Sequence, residues 1–132
     1  MSGLGRICAA VEPVLDAALA LDEGARERID RLDGRGLEVH VTGLDWHLHL
    51  VPGAGRLQLT DSPEQAPAAM IAGPPASLAR LATDGGTQVL FGGALRVGGD
   101  VRVAKAYKRL FDTLDPDWEE ALARVLGDMP GH

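Results

Sequence analysis

The sequence predicts one α+β domain, residues 1–132, in which a five-stranded, mainly antiparallel sheet is covered by helices on one face. Two patterns predict this class. Towards both ends of the chain, apolar residues recur every three or four positions, as on amphipathic helices. Between residues 37 and 59 they alternate with polar residues at every second position, as on half-buried strands.

The composition is that of a globular protein. Hydrophobic residues make up 45% and charged residues 24% of the chain, which excludes disordered, collagen-like and coiled-coil classes. A net charge of −6 argues against binding nucleic acid through its phosphates. The single cysteine, Cys8, cannot form an internal disulfide, and we find neither a signal-peptide pattern nor an apolar run of membrane-spanning length. We therefore expect a cytoplasmic protein.

Two helices are expected before the first strand. The apolar stripe of the first comprises Leu4, Ile7, Cys8, Val11, Leu15, Ala18 and Leu19. Because Pro13 has no N–H and crowds the preceding turn, this helix either starts near Glu12 or bends there. Asp22 can cap a short second helix that stops at Gly34.

A β-hairpin follows these helices. With a turn at residues 42–45, one register places every apolar residue of both strands on the same face. The predicted pairs are Val41 with Trp46, Val39 with Leu48 and Leu37 with Leu50. After a second turn at residues 52–55, Leu57 and Leu59 continue the alternation. The three strands form an antiparallel meander.

Shorter elements make up the next part of the chain. Residues 68–72 suit a fourth strand, and residues 75–82 suit a helix that begins with Pro75. Residues 87–91 fit either a helical turn or a strand. Residues 94–97 alternate between two glycine pairs and are assigned to the fifth strand.

Two more helices complete the prediction. Asp100 can cap a helix over residues 100–114, and Asp115 can cap a last helix that Pro116 opens and Gly127 ends. Outside the apolar stripe of the first of these two helices are Arg102, Lys105, Lys108 and Arg109. This basic group is either a solvated helix face or a patch for anionic lipid headgroups, and it marks the expected membrane-facing side.

The hairpin histidines are the strongest candidates for a metal site. The predicted register puts His40 opposite His47 and Glu38 opposite His49 on the polar face, and these groups could ligate zinc. A solvated sheet face is the simpler interpretation, because nothing in the sequence fixes the imidazoles. We therefore predict no metal. Cys8 lies on an apolar stripe, where a thiolate is disfavoured, and the serines and glycines match no nucleophile elbow or phosphate loop.

The order of the elements resembles that of the sterol carrier protein 2 (SCP2) domain family. The motif that supports this resemblance is Leu90-Phe91-Gly92-Gly93-Ala94-Leu95-Arg96-Val97-Gly98-Gly99-Asp100. The resemblance covers nearly the whole chain. It implies a hydrophobic tunnel between the sheet and its helices that takes up lipids, and it implies neither catalysis nor a cofactor.

Within that family, the tail of the chain is similar to the UbiJ-type accessory factors of ubiquinone biosynthesis. The similar residues are Tyr107-Lys108-Arg109-Leu110-Phe111-Asp112 and Leu114-Asp115-Pro116-Asp117-Trp118-Glu119-Glu120-Ala121-Leu122-Ala123. This similarity implies polyprenylated quinone intermediates as cargo and ubiquinone biosynthesis enzymes as partners. UbiJ-type chains continue into a coiled-coil-like extension past this point, so oligomerisation and partner binding are expected to depend on that extension.

We expect the lipid space to lie between the apolar sheet face and the helices that cover it. The residues expected to bound it are Leu48, Leu59, Met70, Leu78, Leu81, Phe91, Leu95, Val97, Tyr107, Leu110 and Phe111. A second hypothesis makes the domain a protein–protein assembly module for a biosynthetic complex, with a vestigial cavity. Connected apolar volume distinguishes the two, because a lipid carrier needs it and an assembly module does not.

Overall fold

A computed structural model describes residues 3–83, 85–114 and 117–127, and it confirms the α+β class. The elements are α1 (Gly3–Leu21), α2 (Ala25–Arg31), β1 (Leu37–Val41), β2 (Trp46–Gly53), β3 (Arg56–Thr60), β4 (Ala69–Gly73), α3 (Pro75–Thr83), a 3₁₀ helix (Thr87–Phe91), β5 (Arg96–Gly99), α4 (Val101–Asp112) and α5 (Asp117–Gly127). Among the described residues, no helix is long and apolar enough to cross a bilayer.

The five strands form one sheet in the order β3-β2-β1-β4-β5. Strands β1 and β4 pair in parallel and the other neighbours pair antiparallel, so the mainly antiparallel sheet is confirmed. The predicted hairpin register is also confirmed. Its observed apolar pairs are Leu37 with Leu50, Val39 with Leu48 and Val41 with Trp46.

Some element boundaries differ from the prediction. Helix α1 begins at Gly3 and continues through Pro13, so a start near Glu12 is wrong. Pro13 has no N–H to donate to the carbonyl of Ala9, four residues earlier in the helix. Both residues are exposed, so water can hydrogen-bond to that carbonyl instead. The residues expected to cap and open the last helix, Asp115 and Pro116, lie outside the described residues.

The fifth strand starts at Arg96, two residues later than predicted, and it ends at Gly99. Gly99 has φ +73°, and a Cβ atom there would lie 2.5 Å from the carbonyl oxygen of Ala68. Only glycine fits this close approach, which turns the chain into α4. As predicted, Asp100 caps α4, because its side chain accepts a hydrogen bond from the Arg102 backbone N–H.

Helix α1 lies along the outer edge of β3. The Glu12 carboxylate accepts a hydrogen bond from the Leu59 N–H at 3.0 Å, and Asp16, one turn further along, pairs with Arg56 at 2.7 Å. An edge strand otherwise presents unpaired backbone groups to other chains. The contacts from α1 close this edge.

Helix α4 packs on β1, β4 and β5, and Tyr107 is its central buried residue, 1% exposed. The Tyr107 hydroxyl donates a hydrogen bond to the carbonyl oxygen of Arg35 at 2.8 Å, which ties α4 to the segment that enters β1. Burial raises the pKa of the Tyr107 hydroxyl far above its ordinary value, so it remains a donor at any working pH.

Replacing Tyr107 with Phe should lower the free energy of unfolding by about 1 kcal/mol, because the Arg35 carbonyl loses its buried donor while the packing is kept. Urea denaturation measures this change, and an unaltered m-value would indicate that the fold is intact. A midpoint equal to that of the parent protein would show that this hydrogen bond contributes nothing.

Replacing Glu12 with Ala should expose the Leu59 amide at the sheet edge and speed its hydrogen exchange. The expected loss of stability is about 1 kcal/mol, the typical contribution of one hydrogen bond. The matched control is Glu23→Ala, at an exposed position after α1. If Leu59 exchanges equally slowly in both variants, α1 does not protect this edge.

Candidate functional site

The helix-facing side of the sheet is apolar in every strand, and burial varies along it. In the first row across the strands Leu37, Leu50 and Ala69 are buried, and Leu59, which pairs with Leu50, is partly exposed. The next row, which we call the middle row, consists of Val39, Leu48, Ile71 and Val97. Only Ile71 of the middle row is buried, and the other three are partly exposed.

Beyond the middle row the sheet is covered again. Val41 and Gly73 are buried there, and so is Leu95, which precedes β5, whereas Trp46 opposite Val41 is partly exposed. The middle row is thus more open than the rows on both sides of it. Val39 and Val97 nevertheless pack against the buried core, so their exposure is partial.

The helix layer also contributes partly buried apolar side chains that pack against the same core. They are Leu78 and Leu81 of α3, Phe111 of α4 and Trp118 of α5. The rings of Phe111 and Trp118 lie 5.6 Å apart, so α4 and α5 meet through an aromatic pair. Apolar surface that is only partly buried on both layers is what a binding site for an apolar ligand requires.

A cleft of about 320 Å³ lies between α3, the 3₁₀ helix and the segment that leads into β5. Its lining comprises Ser77, Arg80, Gly85, Gln88, Val89, Gly92, Ala94 and Leu95. Leu95 is 7% exposed and packs closely on β4, since a Cβ atom on Gly73 would lie 2.6 Å from a Leu95 methyl carbon. Two residues later on the same face is Val97 of the middle row. Leu95 therefore stands between the cleft and the middle row.

The predicted lining residues are divided by their burial. On the helix side and partly buried are Leu48, Leu59, Leu78, Leu81, Val97 and Phe111. Tyr107 and Leu110 are each 1% exposed and belong to the packed core beneath α4. Phe91 is 53% exposed, with the Lys105 ammonium 5.4 Å from its ring centre.

Met70 needs a correction, because it lies on the other face of the sheet. It pairs with Glu38 on one side and with Gly98 on the other, and both belong to the face away from the helices. A Cβ atom on Gly98 would lie 3.3 Å from the Met70 methyl carbon, which confirms that they share a face. The apolar run 68–72 contains no alternation, so the sequence could not indicate which of its side chains face the helices.

Sequence reasoning did not include Val39 or the polar cleft residues Ser77, Arg80 and Gln88 among the lining residues. Val39 could have been predicted from the strand alternation, since it lies directly opposite Leu48. The cleft could not have been predicted, because it is formed in part by the 3₁₀ helix, whose sequence fitted two kinds of element.

The hairpin histidines form a cluster different from the predicted one. The predicted pairing of His40 with His47 is confirmed, and their rings stack with centres 4.0 Å apart. Asp45, rather than His49, completes the group, because its Oδ1 lies 3.2 Å from the Nε2 atom of each ring. The Glu38 carboxylate lies 2.5 Å from Nδ1 of His47.

The ligand atoms of His40, Asp45 and His47 lie within 4.8 Å of one another, so the cluster could hold a metal ion. Hydrogen bonds and charge also account for the cluster without a metal ion. Hydrogen bonding to Glu38 raises the pKa of His47, and hydrogen bonds from the two imidazoles lower the pKa of Asp45. A cationic His47 held between two carboxylates explains the geometry.

Replacing Glu38 with Gln should lower the pKa of His47, because the largest cause of its elevation is removed. NMR titration of the ring protons measures the pKa. Since the folded pKa is raised, the stabilisation is complete below the unfolded pKa of about 6.5 and is lost as the pH rises through the folded value. The loss should stay under about 1 kcal/mol, because His47 is largely exposed. An equal shift in the control Glu64→Gln would contradict this cause.

Comparisons with known proteins agree with this architecture. The SCP-2 sterol transfer family matches residues 15–112. A solved structure described as UbiJ-SCP2 ubiquinone synthesis protein is similar at a TM-score of 0.70 and 23% identity, over 81% of this chain and 94% of that one. Sterol carrier protein 2 from Yarrowia lipolytica, in its apo form, has a TM-score of 0.54 and 11% identity, over 86% and 94% of the two chains.

A stereoselective inverting sec-alkylsulfatase from Pseudomonas sp. contains the same fold in 14% of its chain, matching 68% of this one at a TM-score of 0.54 and 16% identity. At these identities the likenesses show the fold. Comparison with curated protein sequences gave no match. The match to the family extends over well above half of the chain, and the predicted resemblance is thereby confirmed: the chain belongs to the SCP-2 sterol transfer family.

Proposed function

We propose that this protein is a non-enzymatic lipid carrier that shelters polyprenylated quinone intermediates for the enzymes of ubiquinone biosynthesis. The observation that carries the proposal is the middle row, which is apolar and partly exposed between two rows that are mostly buried. Membership of a lipid-binding family supports the carrier function. The similarity to a ubiquinone synthesis protein supports the choice of cargo.

The prenyl tail would lie between the middle row and the partly buried side chains of α3 and α4. From the sheet, Leu48, Leu59 and Val97 contact it, and from the helices Leu78, Leu81 and Phe111. Burying a prenyl chain contributes roughly 0.8 kcal/mol of binding free energy per CH₂ group, so part of a tail is enough for micromolar binding. Tyr107 and Leu110 belong to the packed core and support these contact residues without touching the tail.

We assign the polar head of the cargo to the cleft. Ser77 and Gln88 offer hydrogen-bonding groups there, whereas Leu95 continues the apolar surface towards the middle row. A phenol or quinone ring needs polar partners at one end and apolar contacts along the tail, and the cleft with the middle row supplies both. Sheltering such a lipid involves no bond-breaking step.

The alternative, an assembly module with a vestigial cavity, requires an interior that is closely packed. The partly exposed middle row is the observation against it, because a filled core would bury Val39 and Val97 as completely as Ile71.

Replacing Leu95 with Trp should block binding of a fluorescent prenyl probe, raising its dissociation constant at least about tenfold, because the larger indole would occupy space between the cleft and the middle row. Overpacking a solid core would instead cost about 1 to 3 kcal/mol of stability with no specific loss of binding. The matched control, Leu21→Trp, enlarges a leucine that is 80% exposed and should bind normally. Unfolding of the Leu95 variant before any loss of binding would contradict the assignment.

Mass spectrometry of lipids extracted from the purified protein identifies the cargo. We expect polyprenylated phenols or quinones in the extract, and less ubiquinone in cells that carry the Leu95→Trp variant. Fatty acids or phospholipids alone, with unchanged cellular ubiquinone, would leave a lipid carrier and overturn the quinone assignment.

A further inference from the structure

The basic residues that the sequence grouped on α4 separate in the structure. Lys108 is 4% exposed and pairs with Asp112, whose other carboxylate oxygen accepts a hydrogen bond from the Gly86 N–H at 3.0 Å. Lys105 lies over the ring of Phe91. The remaining two, Arg102 and Arg109, face α2 instead.

Between α2 and α4 lies a groove of about 400 Å³, which we call the arginine groove. Its lining comprises Arg28, Arg31, Leu32, Arg35, Arg102, Val103, Ala106 and Arg109. Five of these eight residues are arginines and none is acidic, in a chain whose net charge is −6. Arg28 and Arg31 lie three residues apart on α2, and Arg102 and Arg109 lie seven apart on α4, so each pair shares a helix face, while Arg35 follows the end of α2.

Ion pairs neutralise only part of this charge. Asp22 pairs with Arg28, Glu27 with Arg31, and Asp100 with Arg102. The Arg31 and Arg102 side chains remain 72% and 88% exposed in these pairs. Arg35 donates to backbone carbonyls of α2, and within the described part of the chain no carboxylate pairs with Arg35 or Arg109. Three carboxylates against five guanidinium groups leave an excess of two positive charges.

We propose that the arginine groove binds the phosphate groups of anionic phospholipids and so docks this face of the protein on a membrane. A planar guanidinium donates two parallel hydrogen bonds to a phosphate, and several converging arginines suit this group better than a single carboxylate. This docking does not depend on which lipid the interior carries.

Exposed apolar side chains on α4 and in contact with it point to a membrane rather than to a free phosphate. Val101 is 38% exposed at the start of α4, one turn before Lys105, which covers the exposed ring of Phe91. Apolar groups next to cations on one surface are typical of proteins that lie in the headgroup region of a bilayer. Phe91 also adjoins Val89 and Gly92 of the cleft, so a docked membrane faces the cleft.

The test is sedimentation with phosphatidylcholine vesicles, with and without phosphatidylglycerol. The parent protein should bind only the anionic vesicles, and added salt should weaken binding. The double variant Arg35→Ala, Arg109→Ala should bind about fivefold more weakly for each arginine removed, since a basic residue near an anionic surface contributes about 1 kcal/mol. The control Arg124→Ala, on α5, should bind like the parent protein.

Two further measurements separate the possible outcomes. Phe91→Ser should weaken vesicle binding and leave the affinity for inorganic phosphate, measured by calorimetry, unchanged. That result would support a membrane surface as the ligand. The arginine variants should keep their thermal midpoint and their prenyl-probe binding, so that docking is tested apart from the carrier function. Equal vesicle binding by parent protein and double variant overturns the proposal. Binding of inorganic phosphate without any vesicle binding also overturns it.

Discussion

The position of the helix layer depends on which face of the sheet the apolar side chains of each strand occupy. With a side-chain period of two, the alternation of β1, β2 and β3 puts every leucine of these strands on one face. A shift of one residue in any strand would turn that strand's apolar set towards water. The helices therefore have one face to cover, and the apolar stripe of α4, centred on Tyr107, lies against it. Tyr107 then links this layer to the segment before β1 through its hydrogen bond to Arg35.

A domain that keeps part of its interior open must obtain stability elsewhere. The mostly buried rows on both sides of the middle row supply close packing, and the Tyr107 hydroxyl donates a hydrogen bond to the Arg35 carbonyl. At the edge of the sheet, Glu12 and Asp16 bind β3 through one backbone N–H and one arginine. These contacts protect the strand most exposed to other chains. The partly exposed apolar side chains of the sheet are thus concentrated in the middle row.

Prediction from sequence succeeded where a single rule decided the structure. The hairpin register followed from alternation alone, and the cap at Asp100 followed from the preference of helix starts for short acidic side chains. It failed for Met70, because β4 is apolar on both faces and only its pairing with β1 determines which of its side chains face the helices. It failed again for Lys108, which a helical wheel places among the solvated bases. The i,i+4 spacing already places Asp112 beside Lys108 on α4, but only the tertiary fold brings the Gly86 backbone to that carboxylate and buries the lysine.

Helix α4 connects the two surfaces on which the two proposals rest. One side packs Val103, Tyr107 and Leu110 into the core, and the adjoining side contributes Arg102 and Arg109 to the arginine groove. An acidic protein is repelled by an anionic membrane everywhere except at such a local excess of positive charge, so the groove would select one orientation at the surface. In that orientation the exposed ring of Phe91 and the cleft beside it lie towards the lipid. A hydrophobic cargo could then pass between bilayer and interior past Leu95 without crossing open water, which is the step that most opposes the transfer of a prenyl chain.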